Sequence, residues 1–235
     1  MKTVAFFNNK GGVGKTTTTY VVKTMLEAAK HQVGLIGTVA YLVGKESIPA
    51  SHTTPGALEL QKLFARMREA RLDTVVMEVS SHALALDRTA GSEFDVAVFT
   101  NLTQDHLDFH KTMEAYFEAK LRLFVGLTGT TKPRKRAIIN IDDPSGTRIA
   151  SLCPAPVWTY GIKGKADLRA EDVRLSLGGT TFTAATPGGS RPAVASRAAE
   201  IARPWLRLCS CIRPGCAAMS PKSTEAPTAT TTGGI

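Results

Sequence analysis

The chain has 235 residues, of which 43% are hydrophobic, so it is long enough to bury a globular core. No apolar run approaches the roughly 18 to 20 residues of a membrane-spanning helix, and none suits a signal peptide. The four cysteines do not form a disulfide framework. We therefore expect a cytoplasmic protein with no membrane partner. The net charge of +9 raises nucleic acid as a partner, but the densest basic cluster, residues 132–136, lacks interleaved aromatic side chains and is interpreted as a solvated loop or a site for phosphorylated ligands.

Strand-like and helical segments alternate along most of the chain. The strand-like runs are apolar throughout rather than at every second residue, which is typical of parallel strands that are buried on both faces. This alternation predicts an α/β fold with a mostly parallel sheet and helices on both faces. The predicted strands cover residues 3–8, 33–36, 74–79, 95–100, 136–141 and 157–160, and the predicted helices cover residues 16–29, 57–70, 82–88, 113–124 and 146–152.

The pattern changes twice towards the carboxyl terminus. Residues 167–185 alternate around two adjacent glycines, which predicts a small antiparallel hairpin at the edge of the sheet. Beyond it the composition shifts to Ala, Arg, Pro, Ser and Thr without usable periodicity. We therefore expect one domain over residues 1–190 and a disordered tail over residues 191–235.

A glycine-rich segment lies between the first predicted strand and the first predicted helix. Glycines let backbone N–H groups point at phosphate oxygens, and the following helix adds the positive end of its dipole. Lys15 would reach the β- and γ-phosphates, and the Thr16 hydroxyl would bind Mg²⁺. The alternative is a glycine-rich turn capped by threonine. The segment predicts ATP and Mg²⁺ as cofactors, bound by Gly11, Gly12, Gly14, Lys15, Thr16 and Thr17.

Three further residues are candidates for the same cleft. Glu78 ends an apolar strand, where a carboxylate is costly to bury unless it meets a cation. The carboxyl ends of parallel strands face the ligand crevice, so we expect Glu78 to share a cleft with the glycine-rich segment. His106 follows the next strand, although a histidine is more often a structural hydrogen-bonding group. Lys120 lies on an amphipathic helix, where a lysine is ordinarily solvated.

Two stretches of the chain resemble known families. Residues 1–17 look like the Walker A loop of ParA and MinD partition ATPases, with Lys10 in the place of their signature lysine. From Thr17 to about Gly189 the sequence resembles the central ATP-binding domain of the Mur ligase family, of the MurE type. In that family the loop reads Gly-Thr-Asn-Gly-Lys-Thr-Thr, and a Gly-Val pair stands here in the place of Thr-Asn. The runs that carry this resemblance are residues 34–38, 51–55, 77–84, 101–108, 114–120 and 140–144.

The resemblance to Mur ligases implies roles for individual residues. It implies that Lys15 and Lys120 are catalytic residues and that Lys120 is carbamylated by CO₂. The implied Mg²⁺ ligands are Thr16, Glu78, His106 and the carbamate of Lys120. The positions that hold a UDP-muramoyl peptide are matched by Thr53, Thr54, Ser80 and Arg88. Without the resemblance, the alternatives are a helix N-cap for one of the threonines and a surface ion pair for the arginine.

The same resemblance implies a reaction. It is that of an ATP-dependent ligase of peptidoglycan precursor synthesis, acting as a monomer on small molecules. The γ-phosphoryl group is transferred to UDP-N-acetylmuramoyl-L-alanyl-D-glutamate, and a diamino acid, diaminopimelate or lysine, then displaces phosphate. We expect the family's N-terminal UDP-binding and C-terminal ligase domains to be absent, and the chain alone not to complete the reaction. The alternatives are a ParA/MinD-like ATPase switch and a non-catalytic ATP-binding remnant.

Overall fold

The computed structural model describes residues 1–7, 15–104, 107–129, 131–176 and 179–195. No helix within these ranges is long and apolar enough to cross a bilayer. The helices are α1 (Lys15–Ala28), α2 (Ala57–Glu69), α3 (Ser81–Ala85), α4 (Leu107–His110), α5 (Met113–Val125) and α6 (Pro144–Leu152), with a 3₁₀ turn at Gly126–Gly129. The strands are β1 (Lys2–Phe7), β2 (Val33–Ile36), β3 (Ala40–Val43), β4 (Glu46–Pro49), β5 (Thr74–Glu78), β6 (Val96–Phe99), β7 (Arg136–Asn140), β8 (Val157–Gly161), β9 (Leu168–Ser176), β10 (Gly179–Thr186) and β11 (Gly189–Ala195).

The strands form one sheet in the order β11-β10-β9-β8-β7-β6-β1-β5-β2-β3-β4. Strands β2, β5, β1, β6, β7 and β8 run parallel, which confirms the predicted mostly parallel sheet. β1 lies between β5 and β6, and its Phe6 is in register with Glu78 of β5. The carboxyl end of β5 therefore lies beside the end of the strand that leads into the glycine-rich segment.

Alternate residues of the central strands point to opposite faces of the sheet, as the geometry of a strand requires. On one face, Val4 and Phe6 of β1 pack in a cluster with Leu26 of α1. On the other face, Ala5 belongs to the larger core, to which α2, α5 and α6 contribute side chains. Helices therefore cover both faces, as predicted.

Both edges of the sheet end in antiparallel strands. β9 and β10 form the predicted hairpin, and β11 pairs with β10 as far as Ala195. The first residues of the expected tail therefore belong to a strand, and the remainder of it lies outside the described residues. At the opposite edge β3 and β4 form a second hairpin that the sequence analysis did not predict. Each of these strands is only four residues long, and β4 shows no alternating burial pattern.

The basic cluster lies at the amino-terminal edge of the parallel strands. The Lys132 amine donates to the Asp95 carboxylate at 2.9 Å and to the Met1 carbonyl oxygen at 3.0 Å. The guanidinium of Arg136 lies 4.5 Å from the centre of the Trp158 ring. Met1 and Asp95 precede β1 and β6, so these contacts tie the cluster to the end of the sheet opposite Glu78.

Gly146 packs so closely against β7 that a side chain does not fit. A Cβ atom at Gly146 would lie 1.8 Å from the carbonyl oxygen of Asn140, and a backbone atom cannot swing away. Gly146→Ala is expected to lower the free energy of unfolding by about 1–3 kcal/mol. Gly126→Ala is the matched control, because Gly126 has helical backbone angles and no atom lies within 4 Å of its added Cβ. Equal urea midpoints for the two variants would contradict this packing.

The carboxylate of Asp142 closes the turn that follows β8. It accepts hydrogen bonds from the backbone amides of Ile162, Lys163 and Gly164 at 2.6, 2.9 and 3.2 Å. Burial by itself raises the pKa of Asp142, but these hydrogen bonds and the charge of Lys163 outweigh it and hold the pKa below its ordinary value. The carboxylate therefore binds its proton less readily in the folded chain than in the unfolded one.

This shift predicts a stability difference that depends on pH. A carboxyl group whose pKa is lowered on folding adds stability at neutral pH, and that stability is lost as the pH falls through the lowered pKa, below about pH 4. We expect Asp142→Asn to destabilise the chain at pH 7 and to approach the wild type in stability as the solution is acidified towards pH 3. Thermal unfolding of both proteins across that range measures the difference. A difference that does not change with pH would show that the charge of Asp142 is not responsible.

Candidate active site

Glu78 is the last residue of β5, and its side chain is completely buried. Its carboxylate accepts hydrogen bonds from the Thr38 hydroxyl at 2.9 Å, from the Thr38 backbone amide at 3.4 Å and from the Thr19 hydroxyl at 3.5 Å. All three donors are neutral groups. They fix the direction of the carboxylate, but they bring no positive charge to it.

The first turn of α1 lies against this carboxylate. The buried Thr19 hydroxyl shares its single hydrogen between the Thr16 carbonyl oxygen, at 3.0 Å, and the Glu78 carboxylate, at 3.5 Å. The structure therefore places Thr16 and Glu78 at the same end of the sheet. Lys15 is the first residue of α1, and Thr17 is exposed on that helix. The glycines of the segment lie outside the described residues: Gly11, Gly12 and Gly14.

Gly37 and Thr38 contact Glu78, although the sequence analysis gave neither of them a role. They follow β2, the parallel neighbour of β5. A Cβ atom at Gly37 would lie 2.7 Å from Glu78 Oε1, so a side chain at this position would have to displace the end of the Glu78 side chain. Their place in the sequence, directly after a predicted strand, could have indicated this role, because the residues that follow adjacent parallel strands meet at one edge of the sheet.

Three of the residues expected to hold the peptide substrate lie around the end of β5. The Thr54 hydroxyl donates to the Glu78 carbonyl oxygen at 2.9 Å and accepts from the Ser80 amide at 3.0 Å. Arg88 donates to the Thr54 carbonyl oxygen at 3.3 Å. The side chain of Thr54 is buried, so in this structure its hydroxyl joins two loops of the protein. Arg88 contacts the backbone here, in place of the surface ion pair considered above.

Thr53 is the fourth of these residues, and it lies closer to the carboxylate. Its hydroxyl is 3.1 Å from the Thr38 hydroxyl, which in turn donates to Glu78. Ser80 is the N-cap of α3, and Gly56 is the N-cap of α2, so neither threonine caps a helix. The four residues therefore lie near Glu78, and Thr53 is next to the Thr38 hydroxyl that donates to the Glu78 carboxylate.

Lys120 is fully buried, so the ordinary expectation of a solvated lysine is wrong. Its Nζ atom lies 4.4 Å from the centre of the Tyr116 ring, one helical turn earlier on α5. α5 packs against α3, and α3 follows β5 directly. Lys120 is thus buried on a helix that adjoins the end of β5. His106, the remaining expected metal ligand, lies outside the described residues.

A buried polar cluster, which we call the Ser81 cluster, lies beside Lys120 and consists of Ser81, His110 and Tyr116. The Ser81 hydroxyl is 2.9 Å from His110 Nε2, and the His110 ring stacks on Tyr116 with centroids 4.9 Å apart. All three side chains are buried. None of these three residues was predicted from the sequence to belong to the site.

A cavity of about 260 Å³ opens where β7 and β8 end, on the same edge of the sheet as Glu78. Next to it, the Asn140 side-chain amide donates to the Thr100 carbonyl oxygen at 2.7 Å, and its oxygen accepts from the Asp142 amide at 3.0 Å. Most of the lining surface is apolar. The lining includes Tyr160, Ile162, Leu168, Arg169, Phe182 and Ala184.

Comparison with protein families and curated proteins identifies relatives. Residues 11–197 match the Mur ligase middle domain. The UDP-N-acetylmuramoyl-L-alanyl-D-glutamate–2,6-diaminopimelate ligase of Geobacter metallireducens is 49% identical over 184 residues, which cover 77% of this chain and 36% of that protein. Ligase 1 of the same name from Clostridium acetobutylicum is 51% identical over 172 residues, covering 73% and 34%. The chain thus spans about a third of the length of these curated relatives.

Solved structures show the same architecture. A structure of UDP-N-acetylmuramoyl-L-alanyl-D-glutamate–2,6-diaminopimelate ligase superimposes with a TM-score of 0.70 at 29% identity, covering 84% of this chain and 39% of that one. An FPGS–AMPPCP complex, at 15% identity and a TM-score of 0.61, shares the fold over 90% of this chain and 59% of that one. The family match covers most of the chain, and the sheet and its helices agree with it. This chain belongs to the Mur ligase family, as its middle domain.

Proposed function

We propose that the chain is the ATP-binding part of a ligase that extends the peptidoglycan stem peptide. In the proposed reaction, the γ-phosphoryl group of ATP passes to the glutamate carboxylate of UDP-N-acetylmuramoyl-L-alanyl-D-glutamate. An amine then displaces phosphate, and the names of the relatives favour diaminopimelate over lysine as its source. The observation that carries the proposal is the buried Glu78 carboxylate, which is held by Thr38 beside the first turn of α1.

The residues present fit a Mg²⁺ site that is completed by a modified lysine. Mg²⁺ prefers oxygen ligands. Glu78 is a buried carboxylate whose donors among the described residues are neutral, and it lies at the same end of the sheet as Thr16. In the described ranges, no three His, Cys, Asp or Glu side chains come close enough to hold a metal ion. The other ligands in this proposal are the carbamate of Lys120 and His106. Bound Mg²⁺ neutralises charge on the transferring phosphoryl group.

Burial of Lys120 supports its carbamylation. The neutral amine attacks CO₂, a C–N bond forms, and one proton is released to solvent, which leaves an anionic carbamate. Water stabilises an ammonium group, and the side chain of Lys120 is completely removed from it. The modification replaces an amine, which would repel Mg²⁺ whenever it is protonated, by an anionic oxygen ligand that attracts the ion. Lys15 and the helix N-terminus would hold the phosphates, which makes positioning and charge neutralisation the main contributions to catalysis.

The peptide substrate is proposed to lie over the residues gathered around β5. Arg88 is only partly buried and donates one N–H group to the Thr54 carbonyl oxygen, so its planar guanidinium has further donors for a carboxylate. Thr53 is partly exposed and adjoins the Thr38 hydroxyl. Thr54 and Ser80 already hydrogen-bond within the protein, and in this proposal they shape the site.

The cavity beyond β7 and β8 suits the nucleobase. Neighbouring strands lie about 4.8 Å apart, so β8, the third strand from β1, is roughly 14 Å from the strand that leads into the phosphate-binding segment. An extended nucleoside triphosphate covers a distance of that order. The base of the nucleotide would enter the apolar cavity, and the phosphates would meet the first turn of α1. The cavity and the first turn of α1 both lie at the carboxyl edge of the sheet.

Calorimetric titration with ATP in Mg²⁺ and in EDTA tests this proposal. We expect binding that depends on Mg²⁺, and we expect Lys120→Met to weaken only that Mg²⁺-dependent part. Identical binding curves with and without Mg²⁺ would overturn the metal site. ATP-dependent dimerisation, followed by light scattering, would instead favour the ATPase switch.

Gly37→Ala tests the geometry of Glu78 without changing a polar group. The added methyl group would displace the carboxylate from its donors, because Glu78 Oε1 lies 2.7 Å from the position of the new Cβ. We expect Mg²⁺-dependent ATP affinity to fall by about 10-fold, as for the loss of a group that orients a metal ligand. The control is Gly56→Ala, since no atom lies within 4 Å of a Cβ at that position. An affinity equal to that of the control would show that the carboxylate is free to move.

A further inference from the structure

Four buried side chains form a continuous series from α3 to α5. The Ser81 hydroxyl is 2.9 Å from His110 Nε2, the His110 ring stacks on Tyr116, and the Tyr116 ring lies 4.4 Å from Lys120 Nζ. Their exposed fractions are 3% for Ser81, 8% for His110, 1% for Tyr116 and 0% for Lys120. A series of polar groups this deeply buried is costly unless each member is held by its neighbours.

A serine beside a histidine is also the arrangement of a nucleophile and its general base. That function requires the serine oxygen to reach a substrate. Ser81 and His110 are both buried among α3, α4 and α5, so no substrate reaches the pair in this structure. The pair therefore acts on its protein neighbours rather than on a substrate.

The neighbour that matters chemically is Lys120. The face of an aromatic ring carries negative potential and attracts an ammonium group, so the Tyr116 ring is one of the groups that hold Lys120 Nζ in place. The ring stacks on His110, with 29° between the two planes. His110 is held in turn by Ser81, which follows Glu78 by three residues at the end of β5.

We propose that His110 is a positioning residue, which acts through Tyr116 to fix the amine of Lys120 relative to the end of β5. This inference rests on the proposed function in so far as the fixed amine is the one that becomes the carbamate. It gives the Ser81 cluster a role at the site without direct contact with ATP or metal.

Four variants separate the parts of this arrangement. Ser81→Ala and His110→Phe each remove the hydrogen bond, and His110→Phe keeps an aromatic ring against Tyr116. Tyr116→Phe keeps the ring face under Lys120 and serves as the conservative control. Thr112→Ala is the structural control, because Thr112 caps α5 by accepting from the Ala115 amide at 3.1 Å and is exposed outside the cluster. Its loss destabilises the helix that carries Lys120 without touching the Ser81 cluster.

Two NMR signals of the ¹³C-lysine-labelled full chain report on Lys120, and both are assigned by their loss in Lys120→Met. The first is the upfield ring-current shift of the Lys120 ε-methylene group, measured without bicarbonate. The second is the carbamate carbon that forms after addition of ¹³C-bicarbonate and Mg²⁺. The ring-current shift tests positioning, and the carbamate signal tests the proposed function, so the two can fail separately.

We expect Ser81→Ala and His110→Phe to reduce the ring-current shift and to lower the carbamate signal several-fold. The double variant should lose no more than either single one, because both act through one series of contacts. Thr112→Ala and Tyr116→Phe should keep both signals, even if Thr112→Ala melts at a lower temperature. His110→Gln, which keeps a hydrogen-bonding group without a ring, replaces His110→Phe if that variant does not fold.

An unchanged ring-current shift in the Ser81 and His110 variants would overturn the inference, whatever the carbamate signal does. A reduced ring-current shift in these variants supports the inference, even if the wild type forms no carbamate. The absence of a carbamate signal in the wild type would count against the proposed function alone. Equal losses in Thr112→Ala and in the cluster variants would show general loosening of α5, and the inference would be wrong.

Discussion

Glu78→Gln is expected to reduce Mg²⁺-dependent ATP binding on the order of 100-fold, or about 2.8 kcal/mol, while the chain stays folded. Glutamine has nearly the size of glutamate, and its carbonyl oxygen can still accept from the Thr38 hydroxyl, which donates to Glu78 at 2.9 Å. The substitution removes the negative charge that a cation would meet. The loss should therefore fall on the metal rather than on the fold.

Titration of Mg²⁺ at fixed ATP and of ATP at fixed Mg²⁺ measures this loss, with thermal unfolding as the check on stability. Glu59→Gln is the matched control, because it removes the same charge from an exposed side chain on α2. ATP binding in EDTA should be the same in both variants and in the wild type. If Glu78→Gln bound Mg²⁺ and ATP as tightly as Glu59→Gln, the carboxylate would be a structural hydrogen-bond acceptor and the proposed metal site would be wrong.

The sequence predicted the parallel part of the sheet well for a physical reason. Strands buried on both faces must be apolar at every position, and β5 and β6 are buried throughout, so their signal stands out from their surroundings. In the hairpin of β3 and β4, β3 is apolar but short, and β4 lacks this signal. This second strand is largely exposed and follows a tight turn at Gly44, so no periodic pattern marks it.

The candidate site was predictable only where one residue carries its own signal. A carboxylate at the end of an apolar strand is conspicuous, and this marked Glu78. Thr38 is forty residues away in the chain, and its role depends on the pairing of β2 with β5, which no local pattern specifies. His110 depends likewise on contacts made across three helices.

The depth of Lys120 was a further failure of local reasoning. Helical periodicity puts it beside the apolar face of α5, and a lysine at such a border usually extends into solvent. In the structure α3 and α4 pack against the same helix, and the Lys120 side chain is fully buried instead. Burial is a property of what covers a helix, whereas periodicity describes only the helix itself.

Lys15→Ala is expected to lower ATP affinity by about 10- to 100-fold, because hydrogen bonds to charged groups contribute about 1.5–3 kcal/mol. Lys15 begins α1, the helix whose first turn reaches Glu78 through Thr19. The helix dipole amounts to about half a charge, so it cannot replace a full positive charge at the phosphates. Lys23→Ala is the matched control, since it removes the same charge from the same helix, where Lys23 pairs with Glu27 at 2.6 Å.

The double variant of Lys15 and Glu78 decides whether the two residues serve one nucleotide. If Lys15 would hold the phosphates and Glu78 would hold the Mg²⁺ that neutralises their charge, each single substitution weakens the binding to which the other residue contributes. The two free-energy losses should then fail to add, by roughly 0.5–3 kcal/mol, as is found for residues within one network. Strict additivity of the two losses in calorimetry would place Lys15 and Glu78 in independent sites, and it would contradict a shared Mg-ATP cleft at the carboxyl edge of β1 and β5.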